Sequence, residues 1–201
     1  MRICFIFLVF LSSLLLQFSI DNAFCQTDRE QWQPTEQIMD SIGVKSGMII
    51  GEPGAGHGYF TFPLSRRVGK EGTVYANDIS QSSLNEIERR AEKEDLKNIK
   101  VILGEIEDPK FPVKNLDMII MVYVLHMLDK PLPFMKNMKK YMKDDTPLVI
   151  IERNTHSERV HPPSFMTKKQ ILESLQETGY KLEKVETFLT RDTIYIFKLK
   201  R

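Results

Sequence analysis

The sequence predicts an α/β fold, a mostly parallel sheet covered on both faces by helices. Two observations predict it. Short, uninterrupted apolar runs alternate along the chain with charged segments whose apolar residues recur at helical spacing. The first of these runs then breaks into alternating glycines in MIIGEPGAGHGYF, Met48–Phe60. Sheets of this kind bind ligands at the carboxyl ends of their strands, which is where that loop falls.

Taken in order, the segment Trp32–Ile42 (WQPTEQIMDSI) spaces Ile38, Met39 and Ile42 as one helix face and reads as a lead-in helix. Met48–Gly51 is a short buried strand. Tyr59–Val68 reads as a helix whose first turn is limited or kinked by Pro63. Thr73–Asn77 is a strand, and Ser80–Glu94 a charged helix with Leu84, Ile87 and Ala91 on one side. Strands follow at Ile99–Leu103, Leu116–Val122 and Pro147–Glu152, the last two separated by a helix over Pro131–Met142. A helix at Lys168–Thr178 ends before Gly179. Lys181–Phe188 and Thr193–Leu199 then pair as an antiparallel hairpin.

At 201 residues the chain has room for a single ordinary domain with a proper core. A formal charge of +1 excludes a strong general attraction to nucleic acid. The N-terminus stands apart. Met1 and Arg2 precede the apolar run ICFIFLVFLSSLLL, and small residues at Ala23 and Cys25 suit cleavage before Gln26. The expected division is therefore a signal peptide or membrane anchor over 1–25 and one domain over 26–201, exported or membrane-anchored. Cleavage, retention as an anchor and a buried first helix are all open; for the anchor, apolar character continues to Ile20, near the length of a span. Both cysteines, Cys4 and Cys25, lie in this leader, so the domain has no disulfide framework, thiol nucleophile or cysteine metal site.

The glycine loop asks for a specific ligand. Glycine is required where φ is positive or where a ligand comes closer than a Cβ permits. A dinucleotide fingerprint, G-x-G-x-x-G, fails here because its third glycine would fall on Tyr59. What fits is E-x-G-x-G-x-G over Glu52–Gly58, followed by GTVYANDIS. With VILGEIEDPKFP, LDMIIMVYVLHML and the closing TIYIFKLK, this pattern resembles the class I S-adenosylmethionine-dependent methyltransferases over about Thr35–Lys200.

That resemblance implies a Rossmann-like seven-stranded sheet of order 3-2-1-4-5-7-6, with the last strand antiparallel, and S-adenosylmethionine as cofactor. It implies Glu52, Pro53, Gly54, Ala55, Gly56 and Gly58 around the amino-acid end of that cofactor, and Asp78, beside Ile79, on the ribose hydroxyls. It gives Glu105 to the adenine amine and Ile106 to the ring edge, and sets Val122, Tyr123 and His126 nearest the transferring methyl. Pro53 inside the loop and Glu105 in place of a shorter aspartate depart from the pattern.

A sulfonium methyl is already activated, so the enzyme mainly aligns donor and acceptor, and a base is needed only where the acceptor must lose a proton. His126 is the candidate base, with Tyr123 beside it as a second catalytic candidate; a packed, hydrogen-bonded histidine is the competing reading of position 126. His57 sits between loop glycines and is assigned no direct role. ERNTHSERVHPPSFMT, Glu152–Thr167, reads as a loop bordering the acceptor, with Glu152 and Arg153 at its base and Phe165 as an apolar wall. His156 and His161 lack metal-ligand spacing, and no metal is expected. No Asn/Asp-Pro-Pro-aromatic tetrad is present, so nucleic acid is not the expected acceptor.

A small-molecule or lipid-like acceptor is expected, with membrane association if the leader is retained. S-adenosylmethionine is made in the cytosol, which an exported domain would not share and a cytosol-facing anchored one would. The alternatives carried forward are a non-catalytic protein that binds S-adenosylmethionine or S-adenosylhomocysteine, and a nicotinamide-dependent oxidoreductase.

Overall fold

The computed structural model describes residues 29–154 and 165–200. The chain divides into two units, Met1–Pro34 and Thr35–Arg201. Of the first, residues 29–32 form a helical turn, and the Gln33 N–H donates to the Arg29 carbonyl at 2.8 Å. The apolar leader lies outside the described residues, as do His156, His161 and the two cysteines.

The second unit starts with α1 (Thr35–Ile42). The expected helix from Trp32 is interrupted because Pro34 lacks an N–H and keeps Gln33 out of helical conformation. Strand β1 (Ile49–Pro53), α2 (Thr61–Val68), β2 (Thr73–Asp78), α3 (Gln81–Lys93) and β3 (Ile99–Leu103) follow. Pro63 falls in the first turn of α2, where its missing N–H has no helical partner to lose, so the helix simply starts later than Tyr59. Next come β4 (Met118–Val122), a 3-10 turn (Leu125–Met127), α4 (Pro131–Met138), a second 3-10 turn (Lys139–Tyr141) and β5 (Leu148–Arg153). The helix expected to reach Met142 thus tightens over its last residues. The chain ends in α5 (Lys168–Glu177), β6 (Tyr180–Glu186) and β7 (Asp192–Leu199). Thr167 and Gln170 close a reciprocal capping box at the start of α5.

The strands form one seven-stranded sheet of order β3-β2-β1-β4-β5-β7-β6, as the resemblance implied. β7 runs antiparallel to both of its neighbours, and the remaining pairings, from β3 through to β5, are parallel. Strand parity explains why the central runs are apolar throughout. Ile50, Met118, Ile120, Val149 and Ile151 face α1 and α2, whereas Ile119, Met121, Leu148 and Ile150 face α4 and α5. A strand buried on both faces has no polar side to alternate with. Tyr180 anchors the second layer, its hydroxyl donating to the Met135 carbonyl of α4 at 2.9 Å. β1 and β4 are neighbours in register, Ile50 on Met118 and Gly51 on Ile119, so their carboxyl ends open onto the same edge of the sheet.

Candidate functional site

The loop leaving β1 is built by three glycines with distinct duties. Gly54, Gly56 and Gly58 have φ of +69°, +54° and +83°, backbone that side chains rarely adopt. A Cβ on Gly54 would lie 2.4 Å from Cγ2 of Val124, and one on Gly58 would lie 2.6 Å from the Phe62 ring. These two glycines are demanded by the protein's own packing. A Cβ on Gly56 would meet nothing within 4 Å, so this residue borders open space. Below the loop, the buried Glu52 carboxylate accepts the Thr61 hydroxyl at 2.6 Å, tying the end of β1 to the first turn of α2. Pro53 closes β1 opposite Asn77. Ala55 is buried, with its N–H on the Asn77 carbonyl at 2.8 Å.

Asp78 ends β2 and joins this loop to the next. One carboxylate oxygen accepts the Gly56 N–H at 2.9 Å and the other the Ser80 N–H at 2.9 Å. A carboxylate offers about four lone-pair positions, so two remain for further donors. Beyond it, Ile79, Gly104, Glu105, Ile106 and Glu107 line a recess of about 420 Å³. Ile79 and Ile106 are 64 % and 49 % exposed there, apolar surface that a flat ring would cover. Asn77, unremarked in the sequence, sets this recess: its amide donates to the Ile102 carbonyl at 3.1 Å and the Pro109 carbonyl at 2.9 Å. Gly104 has no room for a Cβ, which would fall 2.3 Å from that amide nitrogen. The Glu105 carboxylate pairs with Lys110 at 3.0 Å, and this partner raises the Lys110 pKa.

The exit of β4 lies against the glycine loop through the contact of Val124 with Gly54. Val122 ends the strand, half-buried. Tyr123 then takes φ of +61°, with its N–H on the Ile151 carbonyl at 3.0 Å and its hydroxyl donated to Asp192 at the head of β7. Such backbone is costly for a bulky residue and is held here by one bond from the backbone N–H and one from the side-chain hydroxyl. His126 sits in the 3-10 turn. Its Nδ1 is 2.7 Å from Oε2 of Glu152, and its backbone N–H reaches Oε1 of the same carboxylate at 3.4 Å. The two side chains are 8 % and 1 % exposed. The Phe165 ring packs on the imidazole with centroids 4.6 Å apart, and the Arg153 guanidinium lies 5.4 Å over Tyr123 and 5.8 Å over Phe165.

The structure therefore brings the sequence-derived residues into two adjoining groups. One runs from Glu52 through Gly56 and Asp78 to Ile106; the other holds Val122, Tyr123 and His126. His57 stands apart, 74 % exposed, its Nδ1 2.7 Å from Oε2 of Glu86. Asn77 and Asp192 were missed. Each shows only as a polar residue bordering an apolar run, in YANDIS and RDTIYIF. Among the described residues no cluster of His, Cys, Asp or Glu is placed to hold a metal.

The residues present fit S-adenosylmethionine. An unfilled space at a glycine with its N–H turned to Asp78, carboxylate oxygens with spare acceptor positions, and an apolar recess two strands away match a polar tail, a ribose and a purine in that order. The model of the methyltransferase domain family matches residues 44–197. The chain is 31 % identical over 87 residues to the aklanonic acid methyltransferase of Streptomyces sp. strain C5, 43 % of this chain and 40 % of that protein. It is 26 % identical over 117 residues to a demethylmenaquinone methyltransferase of Geobacillus sp., covering 58 % of this chain and 50 % of the other. The chain thus spans about half or less of the length of these curated relatives. A crystal structure of a SAM-dependent methyltransferase from Aquifex aeolicus superposes with a TM-score of 0.79 at 25 % identity, over 85 % of this chain and 92 % of that one. The chain belongs to the methyltransferase domain family, with the class I fold of the S-adenosylmethionine-dependent methyltransferases and S-adenosylmethionine as its cofactor.

Proposed function

We propose that the protein transfers the methyl group of S-adenosylmethionine to a small-molecule or lipid-like acceptor, with His126 as the base. One observation carries the cofactor half of this reading: Gly56 faces open space while its N–H and the Asp78 carboxylate hold each other beside it. S-adenosylmethionine supplies a methyl on a positively charged sulfur, already activated for attack. The work left to the chain is placement and handling of one proton. Glu52, Pro53, Gly54, Ala55, Gly56 and Gly58 shape the seat for the amino-acid end, and Asp78 takes the ribose hydroxyls beside Ile79. Glu105 and Ile106 receive the adenine, the former exchanging its contact with Lys110. Val122 and Tyr123 wall the approach of the acceptor, and Phe165 keeps water from His126.

The acceptor reading is supported by relatives whose names specify small molecules, aklanonic acid and demethylmenaquinone. For the N-terminus, we propose a signal peptide or membrane anchor over 1–25, preceding the domain over 26–201 and leaving it exported or tethered. Its support is the apolar run between Ile3 and Leu16. Among the described residues no helix is long and apolar enough to cross a membrane.

A second reading, a protein that binds the cofactor without turnover, is favoured by the Phe165 ring lying on His126 at 4.6 Å. Incubation with methyl-labelled S-adenosylmethionine and a panel of hydroxylated ring compounds and quinols separates the two. Labelled product that falls by about 100-fold or more in His126→Ala is the expected result. Tight binding of the cofactor with no labelled product across the panel would favour the second reading.

A further inference from the structure

We propose that Glu152 is a positioning residue that locks His126 in the tautomer carrying its proton on Nδ1, leaving Nε2 as the proton acceptor. This rests on the reading of His126 as the base. Parallel pairing of β4 with β5 sets Val122 on Ile151, so the next residue of β5, Glu152, meets the turn that leaves β4. Both oxygens of its carboxylate address one residue, Oε2 the imidazole Nδ1 at 2.7 Å and Oε1 the backbone N–H at 3.4 Å. An ionised carboxylate can only accept, so Nδ1 must be the donor. Among the described residues Nε2 has no hydrogen-bond partner. Phe165 packs on the ring and restrains its rotation, so orientation and tautomer are fixed by separate contacts.

A turn does not need a 1 % exposed carboxylate to hold its shape, since burying such a group is costly unless its partner gives something back. The other polar group at this exit, the Tyr123 hydroxyl, is donated to Asp192 and so is not placed to take a proton. The acceptor class follows. With a hydroxyl acceptor, the oxygen forms the new C–O bond as the C–S bond breaks and leaves its electron pair on sulfur. The hydroxyl proton passes to Nε2 of His126. Only a protic acceptor makes use of a base held this way.

The test is nitrogen-15 NMR of the histidine rings in the full-length protein at pH 8.5, with His126 assigned by its loss in His126→Asn. In the native protein His126 should show a protonated Nδ1 and a bare Nε2. In Glu152→Gln, the carbonyl oxygen keeps the His126 backbone N–H and turns the amide NH2 towards Nδ1, so the proton should move to Nε2, while S-adenosylhomocysteine affinity stays within about twofold of native. A native ring protonated on Nε2, or an unchanged tautomer in Glu152→Gln, would overturn the proposal. If Glu152→Gln does not fold, the native spectrum decides alone. Loss of S-adenosylhomocysteine binding by the native protein would instead strike the cofactor reading and leave the tautomer result standing.

Discussion

At Gly56 a side chain would enter open space, whereas at Gly54 and Gly58 it would collide with the fold. Asparagine tolerates the left-handed region better than other side chains, so Gly56→Asn should stay folded and project its amide into the open space. Gly58→Ala must push its methyl into Phe62, 2.6 Å away, at a φ of +83°. We expect Gly58→Ala to lose roughly 2–4 kcal/mol of stability from strain and overpacking. Gly56→Asn should keep most of its stability and lose cofactor binding. Urea unfolding beside ligand titration of both variants reads the difference; equal loss of stability would mean that the three glycines share one structural duty. The glycines were legible as a spaced motif directly after an apolar run, and Asp78 through the family resemblance that this motif carries. Asn77 and Asp192 were not, because each acts on a partner distant in sequence, Asn77 on the Pro109 carbonyl and Asp192 on Tyr123.

Between elements, two aspartates fasten β1 and the loop after β3 to the far layer. Asp117 accepts the Ile49 N–H at 2.8 Å and pairs with Lys143; Asp108 accepts the Tyr141 hydroxyl and pairs with Lys140 at 3.0 Å. Burial alone would raise both pKa values. It is outweighed at Asp108 by the Tyr141 hydroxyl, the Lys110 N–H and Lys140, and at Asp117 by Lys143 and the Ile49 N–H, so both titrate lower than a free aspartate. A carboxyl lowered in the folded state adds stability that is complete above its unfolded pKa, about 3.9, and lost as pH falls through the folded value. The urea midpoint should therefore drop as pH falls below about 5, and Asp108→Asn should flatten part of that drop. An identical acid profile in the variant would remove Asp108 from the account. Burial at the same position raises Tyr141, which keeps its hydroxyl a donor to Asp108. Element types were legible throughout, since each depends on a local period. Their ends were less so: α1 starts only after Pro34, and β4 begins at Met118 rather than Leu116, where Asp117 turns its side chain to the Ile49 N–H. The bulge in β6 between Leu182 and Lys184 left no mark in the sequence.

For the molecule as a whole, one sheet edge gathers everything that matters. The order β3-β2-β1-β4-β5-β7-β6 puts the carboxyl ends of β2, β1, β4 and β5 side by side, so Asp78, the glycine loop, His126 and Glu152 fall in sequence along one line. That order was implied by family resemblance; alternation of strands and helices alone gave the class but not the permutation of the last two strands. One fold can host many chemistries. Architecture thus leaves the reaction to the site. The claim on which the rest depends is that this edge binds S-adenosylmethionine. Its most direct test is calorimetric titration of the full-length protein with S-adenosylmethionine, S-adenosylhomocysteine and NAD, beside Gly56→Asn and Asp78→Ala. The account predicts binding of both sulfur ligands, none of NAD, and affinity at least about tenfold weaker in each variant, a loss of roughly 1.4 kcal/mol or more. A folded native protein that binds neither sulfur ligand, or variants that bind as well as native, would contradict it.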